Sequence, residues 1–163
     1  MLEYRVSADR TAPGAATARS PRCPGAVIAL DTDPGGRTDA MNPAELLLAA
    51  VGACMLKGIE RITPMLRFQW RGAHVRVHAI RQDAPPKLLR IDYEISVESD
   101  ESDRRLELLH TNVRKFGTIT NTLAGAVEVT GRLVRAPHVV SPAATAAPAA
   151  ESVPAGPEAD DYR

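Results

Sequence analysis

The chain has almost no cysteine. Two thiols in 163 residues, Cys23 and Cys54, cannot form a disulfide framework. It has no excess of charge either: acidic and basic side chains cancel. A general nucleic-acid binder would show a basic surplus or stripe, so that class is excluded. There is no apolar run of transmembrane length. The first residues, "MLEYRVSADR", lack the basic-then-apolar layout of a secretory signal. These absences together lead to the expectation of a cytoplasmic protein whose thiols are reduced, with no membrane and no nucleic-acid partner. No internal repeat is visible. "DPGGRTDAMNP" has two glycines without phosphate-loop spacing and reads as a flexible connection. His74 and His78 share one strand face but lie roughly 13 Å apart along it, too far for one metal ion. No cofactor and no metal are expected.

What is present suits one globular domain. Apolar residues make up 44% of the chain and charged ones 25%, enough for a core with a solvated surface. The last stretch, residues 136–163, differs: it is rich in Ala and Pro and poor in large apolar side chains. Such a composition does not offset the entropy of ordering, so a disordered tail is expected there. The tail carries Glu151, Glu158, Asp160 and Asp161 against Arg163, which leaves residues 1–135 mildly basic.

Within residues 1–135, strand patterns occur at 3–8, 26–31, 73–81, 88–99 and 126–134. Val75, Val77 and Ala79 alternate with His74, Arg76 and His78; Leu89, Ile91, Tyr93, Ile95 and Val97 repeat that period. "DAPPK" between these two strands predicts a hairpin. Residues 101–116 predict a helix, with Leu106, Leu109, Val113 and Phe116 on one side, and a short helix follows. Phe68 and Trp70 are expected in the core or a dimer contact. Strands mixed with helices in this order define an α+β domain with mostly antiparallel sheet. So few elements leave apolar surface to cover, so a dimer with a shared core is expected.

The longest helix pattern is "MNPAELLLAAVGACMLKGIERI", residues 41–62. Asn42 is a good N-cap, Pro43 suits the first helical position, and Glu45 stands at capping-box spacing. Leu46, Leu47, Ala50, Val51, Cys54, Gly58 and Ile62 form one apolar side. Thr63-Pro64 is expected to stop the helix. The small residues let another helix or chain approach closely. Cys54 on that side has two readings. It is a small hydrophobe in a core, or it is a thiol in a pocket open to an oxidant, activated by a nearby cation.

"NPAELLLAAVGAC" resembles the helix signature of the OsmC/Ohr family, the osmotically induced and organic-hydroperoxide-resistance proteins. "RKFGTITNTLAGAVEVTGRL" is similar to that family's second motif. The resemblance covers residues 1–135. It implies an OsmC-like fold: mostly antiparallel sheets around a long central helix, in an intertwined homodimer. It also implies an activity. The helix cysteine attacks a hydroperoxide and becomes a sulfenic acid, a second cysteine condenses with it, and a dithiol restores both. An Arg and a Glu position the reacting groups.

On this resemblance Cys54 matches the reactive cysteine. The second cysteine is absent, and Gly117 stands at its position. A sulfenic acid formed here must then be reduced by an external thiol. Cys23 has no counterpart in the family and is expected to be a surface or edge thiol. The family's Glu, ten residues before the cysteine, is Ala44 here. Glu45 faces nearly away from Cys54, and its role as a cap accounts for it. The catalytic Arg comes from the N-terminal strands, where Arg10, Arg19, Arg22 and Arg37 are candidates and Arg19 is chosen. His110, seven residues before Gly117, is within reach of the same pocket or on the helix surface. Two functions follow as expectations: thiol-dependent reduction of small or organic hydroperoxides through Cys54, or a non-catalytic OsmC-like stress-associated protein that binds a small apolar ligand in the dimer pocket.

Overall fold

A computed structural model of the protein describes residues 2–136. The expected tail, beyond Ala136, lies outside the described residues. Three strands come first: β1 (Ser7–Ala12), β2 (Ala15–Ser20) and β3 (Cys23–Asp31). They form an antiparallel sheet in chain order. The expected strand at 3–8 is displaced: β1 begins at Ser7. β2 has no counterpart in the sequence reading, because "AATARS" carries no large apolar residue for a strand pattern to show. A tight turn at Pro13-Gly14 joins it to β1, and Gly14 has a φ of 70°, which glycine adopts without strain.

The chain then enters the long helix α1 (Pro43–Leu66). Both halves of the capping box are made: Glu45 N–H donates to Asn42 Oδ1 at 3.0 Å, and Asn42 N–H donates to Glu45 Oε2 at 2.9 Å. The connection before it is more tightly held than its glycines suggest. Buried Asp31 accepts from the N–H groups of Asp33 (2.8 Å) and Arg37 (2.9 Å). The helix also runs past the expected stop. Pro64 sits in the last turn, where it removes one backbone bond, and Thr63 Oγ1 bonds back to the Ile59 carbonyl at 2.9 Å. Termination falls at Arg67, in the left-handed region with φ 48° and ψ 42°. There Phe68 N–H reaches the Thr63 carbonyl at 2.9 Å, and Arg67 N–H reaches that of Pro64 at 3.2 Å.

The second sheet contains β4 (Gly72–Gln82), β5 (Lys87–Glu98) and β6 (Glu128–Arg135), with α2 (Asp103–Phe116) and α3 (Thr118–Leu123) between β5 and β6. β4 and β5 are the predicted hairpin. β6 pairs with β5 in parallel, because the two helices between them carry the chain back to its starting end. One pair in four is therefore parallel, and the sheets are mostly antiparallel as expected.

The core lies between the second sheet and the helices. Val51, Met55, Ile59 and Ile62 of α1 meet Tyr93, Ile95 and Val97 of β5 and Leu106, Leu109 and Val113 of α2. Each such fully buried side chain contributes on the order of 2 kcal/mol. Phe68 belongs to this core, and Trp70 packs partly buried against it. Three details differ from the periodicity. The buried stripe of α1 is rotated towards Met55 and Ile59, which leaves Cys54 at its margin, half-buried. Leu89 and Phe116 are exposed. Phe116 instead lies beneath the charges of Arg61 and Lys115, with both cations within 6 Å of the ring centre.

Candidate functional site

One small residue marks where the two helices cross most closely. Gly58 of α1 faces Val113 of α2 so closely that an added Cβ would stand 3.1 Å from the valine Cγ1. One turn earlier on α1, the same approach brings Cys54 against the end of α2. Cys54, Met55, Val113, Arg114, Gly117 and Thr120 line one narrow crevice. It has no room to seat a water molecule.

The α2–α3 junction shapes one wall. Gly117 N–H donates to the Arg114 carbonyl at 3.4 Å, and its own carbonyl accepts from Thr120 Oγ1 (3.0 Å) and Asn121 N–H (2.9 Å). Arg114 is exposed, and among the described residues its guanidinium has no ion pair and no hydrogen bond. It is the one cationic residue among those that line the crevice.

The residues singled out from sequence fall in different places. Cys54 and Gly117 meet in the crevice. Arg19 does not line it: it is exposed on β2, where it donates to Thr17 Oγ1 at 3.2 Å. Arg10 on β1 and Arg22 in the turn between β2 and β3 are also exposed. Arg37 grips Asp39 through two bonds of 2.8 and 2.6 Å and reaches the Gly14 carbonyl. That pairing raises the arginine pKa and lowers that of Asp39. Arg37 lines a separate groove with Val27, Ile28, Met41, Leu48 and Val77. Cys23 is exposed at the start of β3, across from Ser20. Among the described residues no three His, Cys, Asp or Glu side chains converge as a metal site, and no helix is long and apolar enough to cross a membrane.

Arg114 and Thr120 were missed in the sequence. The signal for them existed: Arg114 follows the buried Val113 and stands three residues before Gly117, so helical spacing already set it beside that position.

His110 does not enter the crevice. It shares a 2.8 Å hydrogen bond with the hydroxyl of Tyr93, ring edge to ring face. Burial raises the tyrosine pKa. Burial, then the charge of Arg114, lowers that of His110, with Glu107 opposing. The folded chain thus resists protonation that the unfolded chain accepts near pH 6.5. Stability from this group is full above that pH and is lost as pH falls through it. Urea midpoints should therefore drop between pH 7.5 and 5.5, and His110→Gln should flatten the drop. An equal drop in both proteins would remove His110 as its source.

Comparison with known proteins assigns the class. The OsmC-like protein family model matches residues 35–131, so the chain belongs to that family. Solved structures agree on the fold. An OsmC-like protein from Mycoplasma pneumoniae superposes with a TM-score of 0.75 at 21% identity, covering 82% of this chain and 97% of its own. An organic hydroperoxide resistance protein OsmC from Legionella pneumophila gives 0.67 at 15% identity, covering 82% and 97%. The organic hydroperoxide resistance protein OhrB of Bacillus subtilis gives 0.60 at 16%, covering 82% and 98%. No curated protein matches the sequence.

Proposed function

We propose that the protein reduces small or organic hydroperoxides through Cys54, with an external thiol as reductant. The observation that carries this reading is the shared crevice of Cys54, Gly117 and Arg114 within an OsmC-like fold. The relatives named for hydroperoxide resistance support the same substrate class. The Cys54 thiolate attacks the outer oxygen of the hydroperoxide. The S–O bond forms as the O–O bond breaks, and the alkoxide leaves and takes a proton to become an alcohol. Sulfur loses two electrons and the peroxide gains them. An external thiol then attacks the sulfenic acid and expels water, and a second thiol releases the mixed disulfide. Arg114 is the cationic residue that lines the crevice with Cys54, and in this reading it is a second candidate, beside Arg19, for positioning the reacting groups. Such thiols are held reduced in the cytoplasm, and the reading places the protein there.

The working unit in this reading is a homodimer. The first sheet packs chiefly on itself. Val27 and Ile28 are neighbours and point to opposite faces, yet both are about half exposed. Apolar side chains half-exposed on both faces of a sheet are surface that a partner would cover. The outer side of α1 also shows an apolar stripe, Ala49, Ala53 and Leu56, at helical spacing. A second copy covers both surfaces.

Stoichiometric cumene hydroperoxide should place one oxygen on the Cys54 peptide, and peroxide should be consumed catalytically in dithiothreitol. Sedimentation should give twice the chain mass. Reaction no faster than that of free cysteine would favour a second reading, a non-catalytic protein binding an apolar ligand. The narrowness of the crevice is the observation on its side.

A further inference from the structure

We propose that the cations where α1 crosses α2 select the thiol that attacks at Cys54, and that this thiol is an anionic molecule carrying carboxylates beside its sulfur. The inference rests on the hydroperoxide reading above and names the chemical class of its reductant.

Cys54, Lys57, Gly58 and Arg61 stand three and four residues apart and share one side of α1. That side meets the end of α2. Gly58 seats against Val113, and the Arg61 guanidinium lies 5.6 Å from the centre of the Phe116 ring. The ammonium of Lys115 lies 5.4 Å from the same centre. Arg114, next to it in the chain, lines the crevice with Cys54. Lys57, Arg61, Arg114 and Lys115 are all exposed. Among the described residues none of the four forms an ion pair or a side-chain hydrogen bond, although Glu60 and Glu107 stand on the same two helices. The surroundings are different. On the second sheet and at the start of α2, Arg71 is matched by Asp100, Arg105 by Glu101, Arg132 by Glu94 and Arg135 by Asp103. At the crossing, the half-exposed ring of Phe116 gathers two like charges in one place, and no carboxylate answers them. The cluster is complementary to an anion.

The chemistry decides which anion. A hydroperoxide reacts as a neutral molecule. A thiol reacts as its thiolate, so it must reach the oxidised sulfur of Cys54 as an anion. The thiolate forms the S–S bond, and the sulfenic hydroxyl leaves with a proton as water. Cations along the approach raise the local concentration of the thiolate and favour its ionisation. Each carboxylate on the same molecule adds to that attraction, and an ammonium on it is repelled.

The test isolates the thiol step from any peroxide. In a Cys23→Ser background, dithiodipyridine, a neutral disulfide, converts Cys54 to a mixed disulfide and releases one pyridinethione. A thiolate then attacks the Cys54 sulfur, forms a new S–S bond and expels the second pyridinethione, whose absorbance gives the rate. Mercaptosuccinate (anionic), mercaptoethanol (neutral) and cysteamine (cationic) are compared. Each rate is divided by that of the same thiol on the mixed disulfide of a neutral cysteine derivative. At low salt mercaptosuccinate should exceed cysteamine by about tenfold on this scale, and molar salt should erase most of the difference. Arg61→Glu/Lys115→Glu should slow mercaptosuccinate and speed cysteamine; damage to the fold alone would move both the same way. If that variant does not fold, Arg61→Gln/Lys115→Gln should narrow the ratio. Equal normalised rates for the three thiols would overturn the proposal. So would a Cys54 that takes no label, because a sulfur closed to a small disulfide is closed to the reductant. A parallel arm measures turnover of cumene hydroperoxide with the same thiols, and the same charge order is expected there. Charge preference in exchange without peroxide turnover would leave the anion selection standing and remove the hydroperoxide chemistry.

Discussion

Cys54→Ser should abolish hydroperoxide reduction while leaving the fold intact. A serine hydroxyl at neutral pH is a far weaker nucleophile than a thiolate, and no base lines the crevice to activate it. The loss should be on the order of 10³-fold in rate with dithiothreitol as reductant. Stability should change by less than about 1 kcal/mol, because Cys54 is half-buried at the margin of the helix stripe and not in the sealed core. That separation makes the variant informative. A peroxide assay on the pure variant, beside a thermal melt, checks both parts. Retention of the wild-type rate would move the chemistry elsewhere, and retention of biological effect without activity would favour the binding reading. Cys23→Ser should behave as wild type in the same assay, since that thiol sits on the exposed first sheet.

Gly131→Ala should be the most damaging small substitution in the second sheet. Gly131 pairs with Tyr93 across the parallel strands. A Cβ at 131 would stand 2.3 Å from the Tyr93 carbonyl oxygen and 2.5 Å from the ring carbon Cγ. The ring thus rests on the glycine backbone, and from there its hydroxyl reaches His110 on α2. An alanine must displace either β6 or the tyrosine. Overpacking costs about 1–3 kcal/mol, and losing the Tyr93–His110 bond adds about 1 kcal/mol. A total near 3 kcal/mol corresponds to a fall in melting temperature on the order of 10 °C. Cooperative unfolding in urea measures it. In a Tyr93→Leu background the same alanine should cost less by the share due to the ring and its bond to His110, while the clash with the carbonyl oxygen of residue 93 remains. An unchanged midpoint for the single variant would show that β6 yields freely, contrary to this packing.

Legibility from sequence followed the range of the interactions involved. The capping box at Asn42 and Glu45 was readable because its partners are three residues apart. The β4–β5 hairpin was readable because alternation and a Pro-rich turn are both local. β2 was not, since small residues make no hydrophobic pattern and only pairing with β1 and β3 defines it. The end of α1 was misplaced because a rule for the residue before proline yielded to Thr63 and to the turn at Arg67. In the candidate site, Cys54 and the glycine in place of a second cysteine were legible through family resemblance. Arg19 was chosen on that resemblance alone, and within one chain it stands apart from the crevice that Arg114 lines.

The amino-acid order alone therefore determined the elements whose causes lie within a few residues: caps, helix faces, alternating strands, and the cysteine at 54. Tertiary structure decided the parallel pairing of β6, the crossing of α1 and α2 at Gly58, and the meeting of Cys54 with Arg114, Gly117 and Thr120. The physical reason is distance along the chain. These contacts join residues tens of positions apart, and their geometry is set by how side-chain volumes pack, which no local period records.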